Sequence, residues 1–247
     1  IPVWLVRVDG HAGLANTKAL EMAGINEDFE ISGGKIERLG AKPSGILVDN
    51  AMEPVQAILP KPKEELLQKA MIRLESLLFA QGLTGVSDLG LEAKDLERLE
   101  AMYAQSMLSI RMYAVAKPSL ENLVHWINRG PLVQDRLHIR SFKFYWDGAL
   151  GSYGAYLNAP YTDAPTLRGL ALLNPDSIWP VQKELSRAGF QLISHCIGDA
   201  ALDACLLAYS RALEGVQDHR ARIEHLQVAS SLEQMAALEV WASIQPR

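Results

Sequence analysis

The chain has 247 residues, 49% of them apolar, with a formal net charge of −5; one α/β barrel routinely uses this length and buries a large core. No block of Lys or Arg forms the basic footprint that nucleic acid or an anionic membrane needs, and no apolar run is long enough to span a bilayer. The two cysteines, Cys196 and Cys205, lack the spacing of a disulfide framework or a Cys-rich zinc site, so a reducing, cytoplasmic setting is the expectation.

The sequence opens without Met, inside what reads as a strand, and residues 1 to 62 carry frequent Gly and Pro with one helix, Asn16 to Ala23. This stretch is expected to be an inserted lobe, and the chain an internal piece of a longer polypeptide. From residue 63 helical stripes alternate with short β-rich runs, the signature of β/α units over a parallel sheet. The helix from Lys63 to Gln81 carries apolar residues at 67, 70, 71, 74, 77 and 78 and precedes the strand Thr84 to Leu89. The helix Leu91 to Gln105, the strand Ser109 to Ala116 and a short helix from Pro118-Ser119 to Asn128 come next. A strand ending near Asp147 follows, then residues 148 to 175 without sustained periodicity, the kind of long connection that usually carries function. The remaining pattern is helix Asp176 to Ala188, strand Gln191 to His195, helix Asp199 to Leu213 and strand Arg222 to His225. Ser231-Leu-Glu-Gln234 makes a capping box for a helix to Glu239, and Val240 to Gln245 is a last strand. Six β/α strands are thus predicted where a closed (β/α)8 barrel needs eight, so residues 63 to 247 are expected to be an incomplete TIM-type barrel, about strands 2 to 7.

Three successive strands end in residues suited to metal or proton chemistry. Alternation places Ser141, Lys143 and Tyr145 on one face and Phe142, Phe144 and Trp146 on the other, where aromatic rings suit the outer helices and Lys143 points inward. A buried lysine needs a use: an ion pair with an inward carboxylate, a Schiff-base amine, or a carbamate that bridges two metals. His195 and His225 end the next two strands, and neutral imidazoles there suit a borderline metal such as zinc, although a lone strand-end histidine is more often a hydrogen-bonded core or rim residue. His125, His138 and His219 read as surface residues on helices or loops. Asp88 and Asp147 lie at or beyond strand ends, Asp147-Gly148 being also ordinary turn chemistry. Asp9-Gly-His11 before Asn16 reads either as helix capping or as substrate contact. Cys196 points away from His195 and is not a Cys-His nucleophile.

Five segments resemble amidohydrolase family 3, especially its branch of YtcJ-like proteins and N-substituted formamide deformylases. They are Asp9-Gly-His-Ala-Gly-Leu-Ala-Asn-Thr-Lys-Ala-Leu-Glu-Met-Ala-Gly24, Gly45-Ile-Leu-Val-Asp-Asn50, Phe142-Lys-Phe-Tyr-Trp-Asp-Gly-Ala-Leu-Gly-Ser152, His195-Cys-Ile-Gly-Asp199 and Asp218-His-Arg-Ala-Arg-Ile-Glu-His-Leu-Gln227. The resemblance implies a (β/α)8 barrel with a small β-rich domain and hydrolysis of carbon-nitrogen bonds with one or two divalent metals. It implies Lys143, often a carbamate in such proteins, as a bridging or nearby ligand, His195 and His225 as metal ligands, and His11, Asp147 and Asp199 toward substrate. A first-strand His-x-His pair and an eighth-strand Asp are absent from this sequence. Tyr153 and Ala200 stand where relatives often carry Arg, and Trp146 is expected to narrow the pocket.

The expected function is hydrolysis of a small amide, formamide or cyclic amide by metal-activated water, zinc being the expected ion and a homodimer the expected assembly. The fragment alone is expected to be inactive. A non-catalytic or regulatory barrel and a Schiff-base lyase using Lys143 are the rival readings.

Overall fold

The computed structural model describes residues 1–231 together with Glu233, Gln234 and Ala236. Its first part is β-rich. Strands β1 (Trp4–Val6), β2 (Ala12–Ala15), β3 (Gly34–Leu39) and β4 (Lys42–Asp49) form an antiparallel sheet in the order β1-β2-β4-β3. Helix α1 (Thr17–Met22) is capped by Asn16, whose Oδ1 accepts from the Ala19 amide at 3.0 Å. The capping reading of Asn16 is therefore the one observed. With the short α2 (Glu53–Ala57), this lobe encloses its own core of Ala19, Leu20, Ile25, Leu47, Met52 and Val55.

The second part alternates as the periodicity predicts: α3 (Glu64–Ala80), β5 (Gly85–Leu91), α4 (Ala93–Ala104), β6 (Arg111–Ala116), α5 (Leu120–Arg129), β7 (Leu132–Val133), β8 (Leu137–Tyr145), α6 (Pro175–Arg187), β9 (Gln191–Cys196), α7 (Asp199–Ala212) and β10 (Arg222–His225). Strands β5, β6, β8, β9 and β10 pair in parallel in that order, and β7 adds a short antiparallel pairing to β8. The result is a parallel half-barrel with helices on its outer face. Five of the six predicted strands are seen; the sixth, Val240 to Gln245, lies outside the described residues, as does most of the helix after Ser231. The predicted capping box begins as expected, with the Gln234 amide donating to Ser231 Oγ at 3.1 Å.

Hydrophobic burial concentrates on the helix side of the sheet. Phe142, Phe144 and Trp146 join Leu96, Met102, Trp126, Leu185 and Tyr209 in one core. Trp146 donates from Nε1 to Ser194 Oγ at 3.0 Å. This corrects the expectation that Trp146 narrows the pocket: strand alternation sends it outward, away from the rim where the chemistry gathers. Helix α3 behaves differently, for none of its residues is buried. Its predicted stripe is real as a pattern, yet Leu74 and Leu77 remain more than half exposed.

Candidate functional site

Strands β8, β9 and β10 end side by side, and their register decides which side chains meet. Tyr145 pairs with His195, and His195 with Glu224, so these three and Lys143 lie on the inner face of the sheet. By the same alternation His225, which pairs with Cys196, would turn toward the helices. Its φ of 71°, followed by 44° at Leu226, breaks the alternation. The His225 imidazole instead lies 4.7 Å, centroid to centroid, from that of His195. A non-glycine residue rarely adopts positive φ, and such strain recurs at functional sites.

Burial, then the nearby His225, His11 and Lys143, push the His195 pKa down to about 3. His195 is therefore neutral at ordinary pH, and its Nε2 is buried without a hydrogen-bond partner. His225 is also shifted down, by desolvation first and then by Lys143.

Lys143 is almost fully buried, and its Nζ donates to Glu224 Oε2 at 2.5 Å. Burial lowers the Lys143 pKa more than Glu224 raises it. Burial would raise Glu224, but Lys143 and Arg222 outweigh that and hold its carboxyl below the usual range. Of the uses open to Lys143, the ion pair with an inward carboxylate is the one observed.

The lobe contributes from the other side. His11 Nδ1 and Asp49 Oδ1 are 2.8 Å apart, and the His11 ring lies 5.2 Å from that of His195. The bond to Asp49 outweighs desolvation and raises the His11 pKa. Asp49 has a φ of 49° and a buried Oδ2 with no hydrogen-bond partner. That oxygen sits where a Cβ on Gly148 would be, 2.3 Å away, so Gly148 serves close approach of the lobe as well as turning the chain.

Asp147 is fully buried and accepts three backbone amides, from Tyr156 and Ile197 at 3.0 Å and from Gly198 at 2.7 Å. Burial pushes its pKa up to about 6 against the pull of those amides. Its Oδ1 lies 3.5 Å from His195 Nε2, too far for a good hydrogen bond. Asp199 opens α7 and accepts from the Asn158 amide at 2.9 Å and from Ser230 Oγ at 2.5 Å. Burial opposes ionisation of Asp199, but these donors outweigh it and lower its pKa.

Thus Lys143, His195, His225, His11 and Asp147 gather around one rim, while Asp199 stands beside it with its carboxylate already engaged. Sequence reasoning assigned no role to Asp49 or Glu224, although both lie within the segments that carry the family resemblance. Three further expectations are corrected. Asp88 sits in the middle of β5, exposed, rather than at a strand end. His138 is part of β8, half-buried with its ring 6.3 Å from that of Tyr113, because β8 begins at Leu137, earlier than the aromatic alternation suggested. His219 is buried, and its Nδ1 accepts from the Ala221 amide at 3.0 Å.

Among the described residues no three or more His, Cys, Asp or Glu side chains converge to hold a metal ion. The unpartnered Nε2 of a neutral His195, with a second neutral-leaning imidazole beside it, fits the imidazole part of such a site.

The chain is 32% identical to Protein LONG AFTER FAR-RED 3 of Arabidopsis thaliana over 99% of this chain and 45% of that protein. It is 26% identical to the N-substituted formamide deformylase of Arthrobacter pascens over 93% of this chain and 45% of that protein. In three dimensions it matches the crystal structure of an uncharacterized metal-dependent hydrolase from Pyrococcus horikoshii OT3, with a TM-score of 0.74 and 25% identity over 97% of this chain and 47% of that one. The chain spans less than half the length of each of these relatives. A model of the amidohydrolase family matches residues 1–247, a span that contains the five motifs, the parallel half-barrel and the rim of histidines; the chain belongs to the amidohydrolase family.

Proposed function

We propose that this chain is the central part of a metal-dependent hydrolase acting on carbon-nitrogen bonds other than peptide bonds, with a small amide, formamide or cyclic amide as substrate. The observation that carries the reading is the buried, unpartnered Nε2 of His195 beside the His225 imidazole. Support comes also from the metal-dependent hydrolase matched in three dimensions and from the deformylase among its relatives.

His195 and His225 would hold a divalent ion, one of one or two at the site, zinc by the preference of imidazole nitrogen, and Lys143, once released from Glu224, deprotonated and converted by carbon dioxide to a carbamate with loss of a proton, would join them. The ion supplies Lewis-acid polarisation of the carbonyl and a nucleophilic water near neutral pH. The remaining work falls to the protein. His11, with Nδ1 committed to Asp49, presents Nε2 as the hydrogen-bonding atom toward substrate. Asp147 clamps the loop beyond β8 to the turn before α7 and so fixes the rim. Residues 1 to 62 serve as a lobe inserted against a barrel that residues 63 to 247 share with further strands, in an assembly proposed to be a homodimer.

The test is metal content and formate release from N-substituted formamides by the longest natural form of the protein. Near-stoichiometric zinc, activity lost on chelation and restored by zinc, and at least about a hundredfold loss in His195→Ala and His225→Ala are expected. Activity that survives complete chelation, or a covalent adduct at Lys143 trapped by borohydride from a carbonyl substrate, would sink the reading.

A further inference from the structure

The loop 148–175 borders a cavity of about 690 Å³ whose lining includes Asp199 but not Lys143, His11, His195 or His225. Its place follows from the chain. Tyr153 stands six residues beyond Asp147, Asp199 four beyond His195 and Val228 three beyond His225, and all three line it. Each strand that brings a proposed site residue to the rim therefore continues directly into the cavity wall.

The walls are aromatic and aliphatic. The rings of Tyr153 and Tyr161 meet edge to face with centroids 5.0 Å apart, and Leu157 packs beside Tyr161. The two tyrosine hydroxyls and the Asp199 carboxylate in the lining are already used. The Tyr153 hydroxyl donates to Asp163 Oδ2 at 2.9 Å, the Tyr161 hydroxyl to the Ala155 carbonyl at 2.9 Å, and Asp199 accepts from Asn158, Ala200 and Ser230. Among the described residues the charged ones in the lining are Asp163 and Asp199; Arg7, which donates to the Gly151 carbonyl at 3.0 Å, stands outside the lining and is paired with Asp9. A group that enters meets ring faces and hydrocarbon in a negative field, which suits a neutral aromatic or branched aliphatic group and opposes an anion.

We propose that this cavity is the subsite for the substrate's substituent, that it takes an uncharged aromatic or branched aliphatic group, and that it rejects a carboxylate. The word substrate rests on the hydrolase reading above; the binding preference rests on the cavity alone.

Two probes of equal shape and different charge test it: phenylacetamide and phenylacetate, titrated into the chain and followed by calorimetry and by the Tyr153 and Tyr161 ring resonances. Phenylacetamide is expected to bind and to move both rings, with phenylacetate about tenfold weaker or worse. Leu157→Trp, which fills the cavity, and Tyr153→Gly, which removes a wall, should each weaken phenylacetamide about tenfold with the thermal melt retained. Tyr153 has φ 58° and ψ 23°, a conformation glycine adopts freely, so that second variant keeps the backbone even if the first disturbs folding. Equal affinity for the two probes, no binding of phenylacetamide, or full affinity in both variants would overturn the proposal. A kinetic arm compares N-phenethylformamide with N-carboxyethylformamide. If the probes discriminate but neither formamide is cleaved, the hydrolase reading falls and the cavity's preference stands; if both are cleaved equally well, the subsite falls and the hydrolase reading stands.

Discussion

At the tip of β9, His195 is held neutral by burial, with a folded-state pKa of about 3 against an ordinary value of 6.5. A histidine depressed in this way contributes stability above the unfolded pKa, and that stability is lost as pH falls through the window toward the folded value. Between about pH 6.5 and 3 the chain should therefore lose up to about 5 kcal/mol from this one group. Urea unfolding followed across that range is expected to show the loss, and His195→Gln to flatten it; an unchanged slope in the variant would remove His195 as the cause. What was legible at this scale was the set of strand-end residues, because alternation and apolar runs locate them. Their partners were not. Glu224 reaches Lys143 across two strand pairings and Asp49 meets His11 across the β2–β4 pairing, and no local periodicity encodes either meeting. His225 was legible as a strand end, whereas its inward turn depends on a positive φ that composition does not announce.

Among the elements, the loop 148–175 depends on one carboxylate. Asp147 ties Tyr156 on the loop to Ile197 and Gly198 before α7. Asp147→Asn keeps the volume but replaces one acceptor oxygen with a donor, which then faces a backbone N–H. The expected cost is about 2 kcal/mol of unfolding free energy, read by urea denaturation, with faster hydrogen exchange at the Tyr156, Ile197 and Gly198 amides. An unchanged exchange pattern would show that the loop is anchored elsewhere. The helices beyond residue 63 were easy to read from sequence, because apolar stripes with polar caps fix them to within a residue or two: Ser119 caps α5 and Asn174 caps α6, whereas the five-residue α2 of the lobe is too short to show a stripe and was not read. The lobe was harder. Its short antiparallel strands turn on glycines such as Gly10 and Gly40, which mark turns without saying which strands they join.

At the scale of the whole molecule, the half-barrel leaves apolar surface uncovered along α3, where Leu66, Leu74 and Leu77 are all exposed. In a barrel with further strands such a face would be covered; on the 247-residue chain it should bind a hydrophobic dye. The dye ANS is expected to fluoresce strongly, and Leu74→Glu with Leu77→Glu to abolish most of that signal while each changes unfolding free energy by less than about 0.5 kcal/mol. A large stability loss in the pair would mean that the stripe is packed rather than open. The fold class was legible because β/α alternation is a repeated signal, while α3's lack of cover was not, since a stripe looks the same whether or not anything packs on it.

The meeting of His11 with His195 and His225 also bears on folding kinetics. The rim joins the beginning of the described chain to nearly its end, so its closure is a contact of very long sequence separation, and such contacts form late because loop entropy must be overcome first. A nascent or partly folded molecule can thus assemble its helices and most of its sheet without assembling the rim. Chemistry at that rim would begin only after the slowest step of folding had finished.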